Sequence, residues 1–173
     1  RVDARRLKGG SLRREGVREP WFGLAGPGAG GGETPYIKLL SQLFGDRLVG
    51  ANATGCSSIY GGNLPTTPWT TNAAGRGPAW ANSLFEDNAE FGMGFRIAAD
   101  KHVAMAHALL TKLAPVVGDS LVQDMLNAPQ IQEFELRAQR VRVAELKTRL
   151  PTLEREDAGA ILSVVGHLAR PGI

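Results

Sequence analysis

The sequence predicts an α/β fold with a helical extension. Three observations carry this: a helix-then-strand signal between residues 34 and 53, a long polar connection after it, and apolar residues at three- and four-residue steps through most of the remaining chain. Thr34-Pro35 reads as N-cap plus first-turn proline, Ile37, Leu40, Leu43 and Phe44 fall on one helical face, and Gly45-Asp46 stops the helix. Residues 48–53 then read as a short apolar strand.

Residues 54–78 are rich in Gly, Ser, Thr, Asn and Pro. So long a connection in a compact domain is expected to be functional or disordered, and Ile59, Tyr60 and Trp69 argue for order. Past Pro78 the pattern turns helical: Phe91, Phe95, Ala98, His102, Met105, Leu109 and Lys112 step by three and four, and Val103, Ala106, Leu110 and Leu113 widen the face. This helix is predicted to end at Ala114-Pro115. A short helix over 118–127 is closed by Asn127-Ala128-Pro129. Leu136, Val143 and Leu150, with Leu146 and Leu153, keep a seven-residue rhythm that only Gln139 and Pro151 break. About two heptads are too few for a stable coiled coil, so this stretch reads as an amphipathic hairpin packed on a parent domain. A last helix is predicted over 155–169, before Pro171-Gly172.

One cysteine in 173 residues excludes an intrachain disulfide and a Cys-based zinc site. With 43% hydrophobic and 21% charged residues, the composition is that of a soluble globular domain. No apolar run approaches the roughly 18 to 20 residues of a membrane helix, and the first residues do not read as a signal peptide, so a cytoplasmic setting without a membrane partner is expected. The net charge of +3 comes from the start of the chain, where residues 1–19 carry seven Lys or Arg and three Asp or Glu. That leader has no aromatic residue and no basic helical stripe, so a solvated tail is expected and no nucleic-acid partner.

Nine of the 22 glycines lie in residues 1–32, which read as leader and loop. The run Gly26-Pro27-Gly28-Ala29-Gly30-Gly31-Gly32 has the closely spaced backbone N–H groups of an anion cradle, but it lacks the Gly-Lys-Ser/Thr of a phosphate loop. A flexible loop is the simpler reading. Cys56 follows the strand at its carboxyl end, where open α/β sheets place ligands. A buried small hydrophobe, a nucleophile and a metal or cluster ligand are all open for it, with burial favoured on local chemistry. His102 and His107 are five apart and share no helix face, so they and His167 read as core or surface residues. Glu86, Asp87 and Glu90 complement the dipole of the long helix.

Residues 54–96 carry the most specific signal. The run Thr54-Gly55-Cys56-Ser57-Ser58-Ile59-Tyr60-Gly61-Gly62-Asn63-Leu64-Pro65-Thr66-Thr67-Pro68-Trp69, continued by Ser83-Leu84-Phe85-Glu86-Asp87-Asn88-Ala89-Glu90-Phe91-Gly92, closely resembles the thiamine-diphosphate domain of the pyruvate:ferredoxin (flavodoxin) oxidoreductases. The likeness extends back through Gly32-Glu33-Thr34-Pro35-Tyr36 and, more loosely, forward to about residue 168.

The resemblance implies a partial thiamine-diphosphate-binding fold, a parallel sheet flanked by helices, with a helical insertion. It divides the chain into a basic, Gly-rich leader and loop (1–32), the N-terminal part of the thiamine-diphosphate-binding domain (33–114) and a helical insertion (115–173) that stops before the diphosphate and Mg2+ motif. It implies a parent enzyme that oxidatively decarboxylates pyruvate with coenzyme A to acetyl-CoA and CO2, passing electrons through 4Fe-4S clusters to ferredoxin or flavodoxin. The parent is expected to be a cytoplasmic homodimer, with this chain packed on the remainder of the parent polypeptide. Thiamine diphosphate, Mg2+ and a 4Fe-4S cluster are the implied cofactors. By motif, Glu33 matches the Gly-Glu-Thr-Pro glutamate that lies against thiamine, Cys56 matches the Gly-Cys-Ser-Ser cysteine that ligates cluster iron, and Phe85 falls in the segment near the thiamine site. No catalytic residue is assigned.

Two departures stand beside this agreement. Where the family has Cys-Ala-Gly-Cys the chain reads Gly28-Ala29-Gly30-Gly31, and the family's Gly-Asp-Gly motif is not reached by Ile173. One thiol does not hold a cluster, so the chain alone is expected to be inactive. The leader up to about Glu19 is unlike the family and is expected to be foreign to the domain, as a shifted reading frame would make it. A parent that passes electrons to NADP, and a non-catalytic remnant or assembly module, are the alternatives.

Overall fold

The computed structural model describes residues 21–23, 31–62, 67–153 and 156–169. The basic leader, Gly28 and the predicted stop at Pro171-Gly172 lie outside them. The described residues divide into two compact units, one ending at Gly94 and the other starting at Phe95. These units part inside the longest helix.

In the first unit α1 (Thr34–Phe44) leads into β1 (Val49–Asn52), and α2 (Cys56–Gly62) precedes β2 (Ala79–Asn82). The strands pair in parallel, with register running from Val49 opposite Ala79 to Asn52 opposite Asn82. The Ala79 N–H on the Leu48 carbonyl (2.9 Å) and the Ser83 N–H on the Asn52 carbonyl (2.8 Å) carry the ladder past both ends. Parallel neighbours require a crossover, and α2 lies in it. The α/β class is therefore present as a helix-rich chain with a two-stranded parallel sheet.

α1 starts a residue earlier than Thr34 as cap would have it: Glu33 occupies the N-cap position and Pro35 sits in the first turn, where a missing N–H loses no helical partner. Its predicted apolar face is not buried. Leu40 and Leu43 are 45% and 54% exposed, and only Ile37 of that stripe packs on the buried Phe22. The one buried α1 residue is Ser41, whose hydroxyl donates to the Lys38 carbonyl at 3.0 Å.

Both α2 and β2 fall where the sequence predicts a single irregular connection leading to a helix. α2 is seven residues long with two glycines, and β2 is four residues, too short for either to show a period. Contact with Trp80 accounts for both. Its ring lies against the backbone of β1 and α2, so that a Cβ at Gly50 would sit 2.7 Å from Cε3 and one at Gly61 would overlap Nε1. Trp80 packs on Trp69 with centroids 5.0 Å apart, and Trp69 on Phe22 at 4.8 Å. Trp69 and Phe22 also form an isolated antiparallel bridge.

α3 (Asn88–Val117) is followed by α4 (Asp119–Leu126), α5 (Glu133–Arg149), a 3-10 turn (Leu150–Thr152), α6 (Glu156–Val164) and a second 3-10 turn (Val165–Leu168). The predicted last helix is thus α-helical only to Val164. α3 also outlasts its predicted end, running past Pro115 to Val117. The bond lost at Pro115 is offset by the Gly118 N–H closing on the Ala114 carbonyl at 2.9 Å, by burial of Val117, and by Arg149 Nη1 donating to the Val117 carbonyl at 2.8 Å. The buried side of α3 is Ala106, Leu110 and Leu113, the residues that widened the predicted stripe, while its centre at His102 and Met105 stays exposed. The core of the second unit gathers on that rotated side, joining α3 to Val122, Met125, Leu146 and Ile161.

Gln139, which breaks the predicted heptad rhythm, is a core residue with 0% exposure. Its Nε2 donates to the Met125 carbonyl at 3.1 Å and to the Leu168 carbonyl at 3.0 Å, and its Oε1 accepts from Arg142 Nη1 at 3.3 Å. The amide satisfies carbonyls near the ends of α4 and of the last 3-10 turn, groups that helix geometry leaves without an internal partner. The start of α5 is held by Glu135, whose Oε2 accepts from the backbone N–H of Ile131 and of Gln132, both at 2.8 Å. Among the described residues no helix is long and apolar enough to cross a membrane.

All three tryptophans lie in the first unit, so intrinsic fluorescence reports on that unit and far-UV circular dichroism chiefly on the helices. Gly61→Ala forces the Trp80 ring aside and is expected to cost about 1–3 kcal/mol in urea unfolding followed by fluorescence. Gln139→Leu keeps the volume but leaves the Met125 and Leu168 carbonyls without this donor, and is expected to cost about 1–3 kcal/mol by circular dichroism. Gln139→Glu, which removes the donor and adds a buried carboxylate, is expected to cost more.

Candidate functional site

Parallel strands end together, so the segments leaving β1 and β2 emerge side by side, and this is where Cys56 and Phe85 lie. Asn52 and Asn82, the last residues of the two strands, form a rung in which Asn52 Nδ2 donates to Asn82 Oδ1 at 3.0 Å. Trp80 Nε1 donates to the same oxygen at 3.1 Å. Past the rung, Thr54 Oγ1 donates to the Ser83 carbonyl at 3.0 Å and the Thr54 N–H to the Phe85 carbonyl at 3.4 Å. The two outgoing segments are stitched together.

α2 starts on a serine-built turn. The Ser58 hydroxyl accepts the Gly55 N–H at 3.0 Å and donates to the Ala53 carbonyl at 2.9 Å, and the buried Ser57 hydroxyl donates to Asn52 Oδ1 at 3.1 Å. With both serines turned toward β1, Cys56 is left exposed as a free thiol. This corrects the burial that local chemistry favours for it: the serines beside Cys56 take the inward positions.

Phe85 is 73% exposed, next to Leu84 at 86%. Its N–H donates to Ser83 Oγ at 3.1 Å, and the same hydroxyl donates to Asp87 Oδ1 in a short hydrogen bond. Asp87 is therefore tied into the turn before α3, a contact beyond the dipole role predicted for it. Glu33 stands apart in sequence at the start of α1. It is exposed, its backbone carbonyl accepts from Tyr36 and Ile37, and its carboxylate makes no capping bond. The structure thus brings Cys56 and Phe85 to one strand end and places Glu33 at a helix start, with no hydrogen bond or ion pair among the described residues linking it to the other two.

Asn52, Asn82 and Ser58 escaped the sequence reading. The one signal for them is an asparagine ending each of two short strands, legible only once β2 is known. A 4Fe-4S cluster does not fit the residues present: Cys56 is the sole thiol, Gly31 at one expected ligand position is exposed and has no side chain, and no three His, Cys, Asp or Glu among the described residues converge on a metal.

No protein-family model matches the chain. Curated proteins do. It is 55% identical over 175 residues to the pyruvate-flavodoxin oxidoreductase of Trichormus variabilis, covering 99% of the chain and 15% of that protein. It is 57% identical over 155 residues to the pyruvate-flavodoxin oxidoreductase of Nostoc sp., covering 90% and 13%, and 50% identical over 117 residues to the mitochondrial pyruvate dehydrogenase [NADP(+)] of Euglena gracilis, covering 67% and 6%. The relatives of this α/β chain form a class of enzymes named as oxidoreductases. Within it, the chain is a member of the pyruvate-flavodoxin/ferredoxin oxidoreductase family and spans about 15% of the length of such relatives. The Trichormus match takes in nearly all of the basic leader, which the sequence reading treats as foreign.

An exposed thiol on a short helix reacts without unfolding. Cys56 is expected to titrate with one equivalent of a thiol reagent in native buffer as fast as in urea, and Cys56→Ser is expected to change stability by no more than about 0.5 kcal/mol. Protection of the thiol in native buffer contradicts the exposed placement.

Proposed function

We propose that this chain is a segment of the thiamine-diphosphate-binding domain of an enzyme that oxidatively decarboxylates pyruvate. The reaction takes pyruvate and coenzyme A to acetyl-CoA, CO2, a proton and two electrons, which leave one at a time through 4Fe-4S clusters to ferredoxin or flavodoxin. The observation that carries the reading is identity of 55% over 99% of the chain to a pyruvate-flavodoxin oxidoreductase, joined to the Gly-Cys-Ser-Ser and Ser-Leu-Phe-Glu-Asp motifs. Thiamine diphosphate, when bound, supplies a carbanion that adds to the keto carbon and an electron sink for the departing CO2.

The roles of the chain's own residues derive from this reading. Glu33, exposed and free of capping duty, offers its carboxylate to the cofactor. Phe85 offers an exposed ring as an apolar wall beside it. Cys56 supplies one thiolate for a cluster, held outward by the Ser57 and Ser58 bonds. The other cluster thiols and the Mg2+-diphosphate groups are not among the described residues, so the chain alone turns over no pyruvate. The enzyme works in the cytoplasm as a homodimer of the larger polypeptide, into which this segment packs. The Euglena relative supports a second reading of the acceptor alone, with NADP reduced in place of ferredoxin or flavodoxin. The assembly-module reading, with the helices after Phe91 as the contact surface, is separated by experiment: it expects oligomers on size exclusion and no affinity for thiamine diphosphate.

The purified chain, given pyruvate, coenzyme A and thiamine diphosphate, is expected to reduce no viologen; reduction overturns its inactivity alone. The role of Cys56 is tested by restoring thiols. Gly28→Cys with Gly31→Cys, reconstituted with iron and sulfide, is expected to gain the visible absorbance of an iron-sulfur cluster, and Cys56→Ser in that background to lose it. No cluster with three thiols, or one indifferent to Cys56, rejects the role.

A further inference from the structure

His102 and His167 are 65 residues apart in sequence and meet on the second unit, with His102 Nδ1 3.1 Å from His167 Nε2. The rings stand at 85° with centroids 4.7 Å apart. His102 projects from the middle of α3, and His167 from the 3-10 turn Val165–Leu168. That turn is anchored on both sides of His167: Val165 and Leu168 are 2% and 1% exposed, and the Leu168 carbonyl accepts from both Gln130 Nε2 and Gln139 Nε2. The backbone holds the two imidazoles in place, on an accessible surface.

Two imidazole nitrogens each about 2.05 Å from one metal ion lie about 2.9 Å apart at a right angle and about 3.3 Å apart at the tetrahedral angle. The observed 3.1 Å falls between these. We propose that His102 and His167 form a two-histidine site for a borderline divalent cation, Zn2+ or Cu2+, which clips the terminal turn to α3. Water completes the coordination, because no third His, Cys, Asp or Glu converges there among the described residues. Imidazole donors without carboxylates select these ions over Mg2+ and Ca2+. Entry of the ion requires a bare nitrogen on each ring, so His102 carries its proton on Nε2 and His167 on Nδ1. This is a tautomer change without a change of charge. Burial, and after it the neighbouring His102, holds the His167 pKa below its usual value, which favours the neutral ring that a metal requires.

The test uses the full chain carrying Cys56→Ser, since Cys56 is the only competing thiol. Calorimetric titration is expected to show one Cu2+ bound per chain, more tightly than Zn2+, with a rise in melting temperature. Pulsed EPR of the Cu2+ form is expected to count two coordinated imidazoles without recourse to a histidine variant. His102→Gln or His167→Gln, checked for native circular dichroism, is expected to weaken binding about tenfold or more, while His107→Gln leaves it unchanged. Fewer than two imidazoles in the EPR spectrum, or undiminished binding by the His102→Gln/His167→Gln variant, overturns the site.

Discussion

Two parallel strands of four residues do not stand by themselves in water, and the first unit is organised around that constraint. The pair is clasped at its carboxyl end by the Asn52–Asn82 rung, and one indole, Trp80, touches the backbone of β1 and of α2 while bonding the rung. Everything placed at the strand ends inherits its position from this clasp. Thr54 is fixed to Ser83 and Phe85, the serines of α2 fold toward Asn52, and Cys56 is what remains facing out. A thiol offered to solvent at the end of a strand is thus a consequence of the polar bonds made by its neighbours.

The second unit solves a different problem. Its α-helices and 3-10 turns bring several helix ends close to an apolar core, where unmatched carbonyls are costly. Gln139 meets this cost with one side chain, donating to two carbonyls from different segments while staying at 0% exposure. Arg149 plays a similar part at the end of α3. The Leu168 carbonyl that Gln139 holds also fixes the turn carrying His167, so core satisfaction and the surface histidine pair are linked through the same backbone.

Members of the family are several times longer, and the chain carries an exposed carboxylate, an exposed ring and an exposed thiol. Each of these groups is set out by local structure. The open apolar face of α1 has the same character.

Family membership was legible in the sequence because motifs such as Gly-Cys-Ser-Ser are contiguous. The helices α1, α3 and α5 were legible because apolar residues recur often enough to read, and α4 because Asn127-Ala128-Pro129 closes it. Cysteine chemistry was bounded the same way, by a count of one. Tertiary structure alone decided α2 and β2, which are too short to show a period and rest on Trp80, and it decided which side of α3 is buried. It also turned Cys56 outward, made Gln139 a core residue where the pattern showed a break, and joined His102 to His167. Each of these depends on residues distant in sequence, and a local pattern reports what a segment can form, whereas burial and pairing depend on what packs against it.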